Sequence, residues 1–334
     1  MKRLMLFWML ALLLLQPALA EGFTYTATSV TDCAQTSDTY DRFYQSGGLD
    51  AVIPGLAEGI VPQGITYLPE EDWLLFAGYR ADKGSSAVIA VDRATGDVVK
   101  EAFLQYADGS DYNGHAGGVC ATDSDIYLSN NHMLYRISLD AFRALPASGF
   151  CRFEQEIPVP VNSSYCCYAD GILWVGEFQY AGDYPTDSSH RVKSADGLQR
   201  AWTCGYTMGA EQDFSVPDYV LSMTERIQGI TTARGGIYLS QSYGRKASSM
   251  IYRYANVLEN APDMTVEIDG REAPLWILDS KVREGALICP PMTECLCTVA
   301  GDIYVLFESA AQNYMNPDNP SVNPMDRVFR LTGF

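Results

Sequence analysis

The sequence predicts an all-β protein, a β-propeller of four-stranded antiparallel blades, and three observations carry that reading. A strand, a short turn and a second strand recur along the chain with the same residue pattern. Apolar and polar residues alternate with period two between turns rich in Gly, Asp and Asn, as half-buried strands require. Helical periodicity is nearly absent, with only residues 141–145 and a turn near 257–259 reading as briefly helical. Repetition of a small antiparallel unit at this spacing is the signature of propeller blades.

Five units follow in order. Gln63-Gly64-Ile65-Thr66 leads into Trp73-Leu74-Leu75-Phe76, and His115-Ala116-Gly117-Gly118-Val119-Cys120 into Asp125-Ile126-Tyr127-Leu128. Tyr165-Cys166-Cys167-Tyr168 leads into Gly171-Ile172-Leu173-Trp174-Val175. Gln228-Gly229-Ile230-Thr231 leads into Gly236-Ile237-Tyr238-Leu239-Ser240, and Glu294-Cys295-Leu296-Cys297 into Asp302-Ile303-Tyr304-Val305. Third strands are expected at 87–92, 133–137, 250–254 and 327–331, and fourth strands at 97–104 and 151–157. The fifth unit runs out after its third strand, and an open edge is a pairing hazard. Residues 23–30, an alternation of aromatic and β-branched side chains, are therefore expected to close the ring as an N-terminal strand. Five blades are favoured; a sixth, degenerate blade around Trp276-Ile277-Leu278 is the competing topology.

The first residues carry Lys2-Arg3, an apolar run and Ala18-Leu19-Ala20, the pattern of a secretory signal peptide over 1–20. The run is short for a membrane span, and the mature chain shows no later one. Residues 21–334 are expected to form one propeller domain, secreted or extracytoplasmic, acting as a monomer. The formal net charge of −18 argues against nucleic acid and anionic membranes as partners. Nine cysteines in an exported chain suggest disulfides. Cys120, Cys166 and Cys297, equivalent to Thr231, read as core thiols, which leaves Cys33, Cys151, Cys204 and Cys289 as the bridge candidates.

Propeller geometry selects the site. The start of each first strand and the end of each second strand share one face at the mouth of the central channel, and the long insertions fall on that face. Functional residues favour such loops on a rigid scaffold. Gln63, His115, Arg226, Gln228 and Glu294 stand at first-strand starts, and Asn131, Glu177, Gln241, Ser242 and Glu308 at second-strand ends. Counting along the motif makes Asn131, Glu177, Ser242 and Glu308 equivalent. Tyr180, Tyr184 and Tyr314, beside Asn and Asp in two insertions, suit stacking on the apolar faces of a sugar.

Two functions follow. In one, the top face binds a small molecule, a glycan or an exported protein through Gln63, His115, Arg226, Gln228, Gln241, Tyr180, Tyr184 and Tyr314. In the other, Glu177, Glu294, Glu308 and Asn131 hold Ca2+ or Mg2+, since oxygen-only ligands suit hard cations. His115 would then act as base in hydrolysis of a lactone, ester or glycan. Against the metal stands a purely structural use of Glu177 and Glu308, paired with Arg226, Arg245 or Lys246. No Gly-x-Ser-x-Gly elbow, phosphate loop or His-Glu-x-x-His occurs.

The Gln-Gly-Ile-Thr and Gly-x-Ile-Tyr-Leu-Ser motifs, with His115-Ala116-Gly117-Gly118 and Leu306-Phe307-Glu308-Ser309-Ala310, resemble those of exported bacterial β-propellers of undefined function. More distantly the chain resembles gluconolactonase-like and strictosidine-synthase-like propellers. That resemblance implies a divalent cation held by channel-facing Glu and Asn residues, with Glu294, Glu308 and Asn131 as the positions to inspect.

Overall fold

Each recurring unit of the sequence becomes one blade. The computed structural model describes residues 22–209 and 212–334, so the expected leader at 1–20 lies outside the described residues. The first blade pairs Ile60–Leu68, Trp73–Arg80, Ala87–Asp92 and Val98–Gln105 in order from channel to rim. The second is built from Gly118–Ala121, Asp125–Asn130, Met133–Ser138 and Gln155–Pro158. Ser163–Ala169, Ile172–Glu177, Ala201–Thr207 and Tyr219–Met223 make the third, and Ile227–Ala233, Gly236–Gln241, Ser249–Ala255 and Arg283–Cys289 the fourth. Thr293–Val299, Asp302–Phe307 and Arg327–Leu331 form the fifth, and Gly47–Val52 completes it. Five blades close the ring, and the ring is closed by the N-terminal strand.

The segment that closes it differs from expectation. Residues 23–30 form no strand. Their amides are taken by two buried carboxylates instead: Glu101 accepts from Thr24 and Tyr25, and Asp326 accepts from Val30 and Thr31. With the amides at both of its ends so engaged this stretch is a strap across the rim and forms no ladder. Gly47–Val52 takes the place because Gly47 lacks a Cβ, which would overlap the carbonyl of Arg330 on the partner strand.

Two other expectations are corrected at the blade edges. Residues 151–157 are not one strand: Ser148–Arg152 adds to the first blade, parallel to Val98–Gln105, and only Gln155–Pro158 belongs to the second. The crossing falls at Phe153, buried at 2% exposure, whose N–H bonds Gln105 while Glu154 bonds Arg136. The region around Trp276 is no sixth blade. Met264–Ile268 and Arg271–Ile277 form a hairpin that extends the third blade, Arg271–Ile277 lying parallel to Tyr219–Met223. The short helices appear as Leu139–Ala144, capped by the Ser138 hydroxyl, and Val257–Glu259.

All nine cysteines are buried free thiols, Cys33, Cys151, Cys204 and Cys289 included. Cys33 donates to the Asp326 carboxylate, and Cys167 to Thr231 near the channel. Among the described residues no helix is long and apolar enough to cross a membrane.

Inner strands of adjacent blades touch through glycine. A Cβ on Gly64 would overlap the backbone nitrogen of Val119, one on Gly118 that of Cys166, and one on Gly229 would press on the Cα of Cys295. Each glycine lets its blade meet the next one backbone to backbone. Gly118→Ala is therefore expected to cost about 1–3 kcal/mol by overpacking. A chemical-denaturation midpoint equal to wild type would show slack between the second and third blades.

Candidate functional site

A β-bulge sets the inner wall of the channel mouth. In four blades the pairing of first and second strands slips near the top: between Pro62 and Gly64, Ser163 and Tyr165, Ile227 and Gly229, and Thr293 and Leu296. A bulge adds an unpaired residue and re-aims side chains. The residues at this level, Gln63, Ser164, Gln228 and Glu294, with Gly117 from the second blade, all line a cavity of about 620 Å3.

A second ring lies above it at the top of each second strand, one residue past its end in blades two to five and within the longer strand Trp73–Arg80 of the first. Tyr79, Asn131, Phe178, Ser242 and Glu308 hold this position in blades one to five, and all five line the same cavity. The pairing corrects the motif count in the third blade. Ala169 faces Ile172 across its turn as Ala233 faces Gly236 and Val299 faces Asp302. Glu177, opposite Ser163, is thus the counterpart of Gln241, opposite Ile227. Phe178, not Glu177, matches Glu308. By the same shift Cys167, not Cys166, matches Thr231. A one-residue slip sends a strand side chain to the opposite face.

Glu177 accordingly points away from the cavity. It is 1% exposed, and its carboxylate accepts from the amides of Asn162 (3.1 Å) and Trp202 (3.0 Å) and lies 2.9 Å from His190 Nδ1. His190, which reads as an ordinary loop residue in the sequence, stacks on Trp202 at 3.9 Å. This network anchors the 179–200 insertion and is structural.

The cavity floor is a pair of carboxyl groups. Glu294, at 2% exposure, and half-buried Glu308 are neighbours on that floor. Gln63 Nε2 donates to Glu308 at 2.9 Å, Gln228 Nε2 donates to Glu294 at 3.2 Å, and Tyr314 lines the cavity beside them. Burial first, then the Glu308 charge, raises the Glu294 carboxyl well above the ordinary carboxylate range. Burial also pushes Glu308 up to about 7, against the Gln63 hydrogen bond that favours its ionised form. Like charges this close disfavour joint ionisation, so the pair tends to retain a proton.

Two aromatic panels rise from this floor. On the side of blades one, two and five, Tyr79 stacks on His115 at 4.7 Å and its hydroxyl lies 3.3 Å from that of Tyr314, with Arg245 4.8 Å over the Tyr314 ring. On the side of blades three and four, Phe178 meets Tyr184 edge-on at 5.3 Å and Tyr243 at 6.0 Å. Tyr184 is held by paired backbone hydrogen bonds with Tyr180. The His115 ring opens onto the cavity. The protein around it, and then Lys83, holds its pKa below the usual histidine range, so the ring is neutral near pH 7.

Among the expected site residues, Gln63, His115, Gln228, Tyr184, Tyr314, Asn131, Glu294 and Glu308 meet in this cavity. Arg226, Gln241 and Tyr180 do not line it. Arg226 pairs with Glu225 and lies 5.4 Å over the Tyr180 ring, Tyr180 stacks on Tyr243, and Gln241 bonds Glu225 O and the Tyr252 hydroxyl. They brace the wall from behind. Tyr79, Phe178 and Tyr243 are cavity residues missed from the sequence. Tyr79 and Phe178 are findable by carrying the Glu308 position into the first and third blades in the correct register.

The expected cation set does not assemble. Glu177 faces elsewhere, and the amide groups of Gln63 and Gln228 turn N–H, not oxygen, toward Glu308 and Glu294. Among the described residues no three His, Cys, Asp or Glu side chains converge in a metal-ligating group. The residues present do not fit a resident divalent ion.

Fold and site define a five-bladed β-propeller with a ligand-sized cavity at its channel mouth. No protein-family model matches the chain, and no curated protein matches it. Solved structures similar to it include a calcium-binding regucalcin of Agrobacterium tumefaciens, at 11% identity over 86% of this chain and 96% of that one, with a TM-score of 0.40. Glutaminyl cyclase of Myxococcus xanthus matches at 12% identity over 85% and 94%, with a TM-score of 0.39. Hydrazine synthase of Kuenenia stuttgartiensis matches at 11% identity and a TM-score of 0.37 over 73% of this chain, which spans 55% of that one. At this level of likeness, the site is read from the chain's own residues.

Proposed function

We propose that the chain is an exported, monomeric propeller that binds a small ring-bearing ligand of the carbohydrate class in the top-face cavity. The observation that supports it is the pairing of two aromatic panels with a floor of amide and carboxyl groups inside about 620 Å3. Sites for small organic ligands have this size and this mixture of apolar wall and few polar anchors. Tyr79, Tyr184, Tyr243 and Tyr314 offer faces for a pyranose ring, and Gln63, Gln228, Asn131 and Ser164 supply donors and acceptors for its hydroxyls. His115, neutral and stacked, contributes one more polar edge.

Calorimetric titration of the chain with a panel of mono- and disaccharides, glucose and glucosamine among them, tests the reading. At least one sugar is expected to bind, and Tyr184→Ala to weaken it about tenfold, roughly 1.4 kcal/mol. Tyr184 is 49% exposed, so that variant should melt like wild type. No binding to any sugar, or binding indifferent to Tyr184, overturns the proposal. Calcium and magnesium are expected to leave the melting temperature unchanged; a rise would bring back the metal-dependent hydrolase, because a ligand of the native state stabilises it.

A further inference from the structure

We propose that the ligand of this cavity carries a protonated amine that docks on the paired carboxyl groups of Glu294 and Glu308. The inference rests on the cavity being the ligand site and goes on to name the chemistry of the ligand.

Two carboxyls lie at the floor of the cavity with only neutral groups bonded to them, the amides of Gln63 and Gln228. Among the described residues neither takes part in a salt bridge, although thirteen such contacts occur elsewhere in the chain. The charged and titratable groups facing the pair from the surrounding blades leave it so. Arg245, from the fourth blade, lies near enough for its charge to favour ionised Glu308 but makes no ion pair with it, sitting over the Tyr314 ring and donating to Asn319 O at 2.9 Å. His115, from the second, is neutral and stacked on Tyr79. Tyr79 and Tyr314 are held above the ordinary phenol range and are uncharged. The third blade contributes Phe178, Tyr184 and Ser164, with no charge.

Burying carboxylates without a counter-charge is unfavourable. The free protein lowers that cost by keeping a proton on the pair. A neutral sugar would leave the pair as it is. An ammonium group brings the missing charge, has three N–H donors for two carboxyl groups, and can lie against ring faces that attract cations. The −18 net charge of the chain favours approach of a cation. The amino form of the proposed ligand class, an amino sugar, answers both the panels and the floor. Its docking makes and breaks no covalent bond except carboxyl O–H. The protons held by the pair leave to solvent, and two carboxylates then face one ammonium.

The test is calorimetric titration at about pH 6, where amines are protonated, with D-glucosamine, D-glucose and n-butylamine as probes. Two buffers of different ionisation enthalpy report the protons released. Glucosamine is expected to bind at least tenfold tighter than glucose, with net release of protons. Glu308→Gln should abolish the preference. Glu294→Gln, whose amide can still accept from Gln228 and donate to Glu308, should release fewer protons than wild type. If glucose and glucosamine bind alike, the amine inference falls and the sugar reading stands. If butylamine binds and neither sugar does, the amine inference stands and the sugar reading falls. If neither amine binds, the inference is overturned.

Discussion

Glu177→Ala is expected to lower stability by about 3–5 kcal/mol, the range for stripping one member from a buried, hydrogen-bonded pair. The cause is local and can be counted. The amides of Asn162 and Trp202 lose their acceptor, and His190 loses its partner while it remains stacked on Trp202. An unsatisfied buried donor costs about 1–3 kcal/mol. For a chain of this size the melting midpoint should fall by roughly 5–10 °C. Glu177→Gln keeps one acceptor oxygen and should lose about half as much. Glu177→Gln, which keeps the 179–200 insertion anchored, should bind ligand as wild type does, because Glu177 does not line the cavity. A well-folded Glu177→Gln protein with impaired binding would place this carboxylate in the site after all.

The same residue shows what the sequence could and could not tell. Alternation and repeated turns make the five blades legible, because each strand states its own period. They do not fix the register of a blade whose turn the motif only approximates. In the third blade Asp170-Gly171 matches Arg234-Gly235 by pairing, whereas matching Gly171 to Gly236 shifts every later position by one. That slip put Glu177 in the channel and left Phe178 out. The bulges that aim Gln63, Gln228 and Glu294 into the cavity leave no mark in the alternation, although the polar residues at those positions stood out against apolar neighbours. The closing strand was harder still. Residues 23–30 have strand-like composition, and only the remote partners Glu101 and Asp326 divert them. Long-range carboxylate–amide contacts of that kind have no local signal. Tyr243 reaches the cavity from a loop, and its role follows from stacking on Tyr180 and Phe178.

Glu294→Gln is expected to be more stable than wild type at alkaline pH, and the gap should close as the solution is acidified. Glutamine has the shape of a protonated glutamate: its N–H can donate to Glu308 and its carbonyl can accept from Gln228. The variant thus keeps the contacts while removing the titration. In wild type the folded-state pKa of Glu294 lies well above its ordinary 4.5, raised by burial and then by Glu308. Below about pH 4.5 both folded and unfolded chains hold this proton, and it does not affect stability. Above that the folded chain holds a proton that the unfolded chain has released, so stability falls as pH rises. The slope is about 1.4 kcal/mol per pH unit until Glu294 itself ionises. Glu308, pushed up to about 7, adds a loss of the same sign between its ordinary value and that point, in wild type and variant alike. Denaturation midpoints of the two proteins from pH 5 to pH 8 should therefore diverge steadily. Parallel curves would mean that the carboxyls do not share a proton, and the site would then have to be a dianion whose counter-charge comes from the protein. A gap that opens with pH, and narrows when a protonated amine is present, ties the stability of the fold to the chemistry of its ligand.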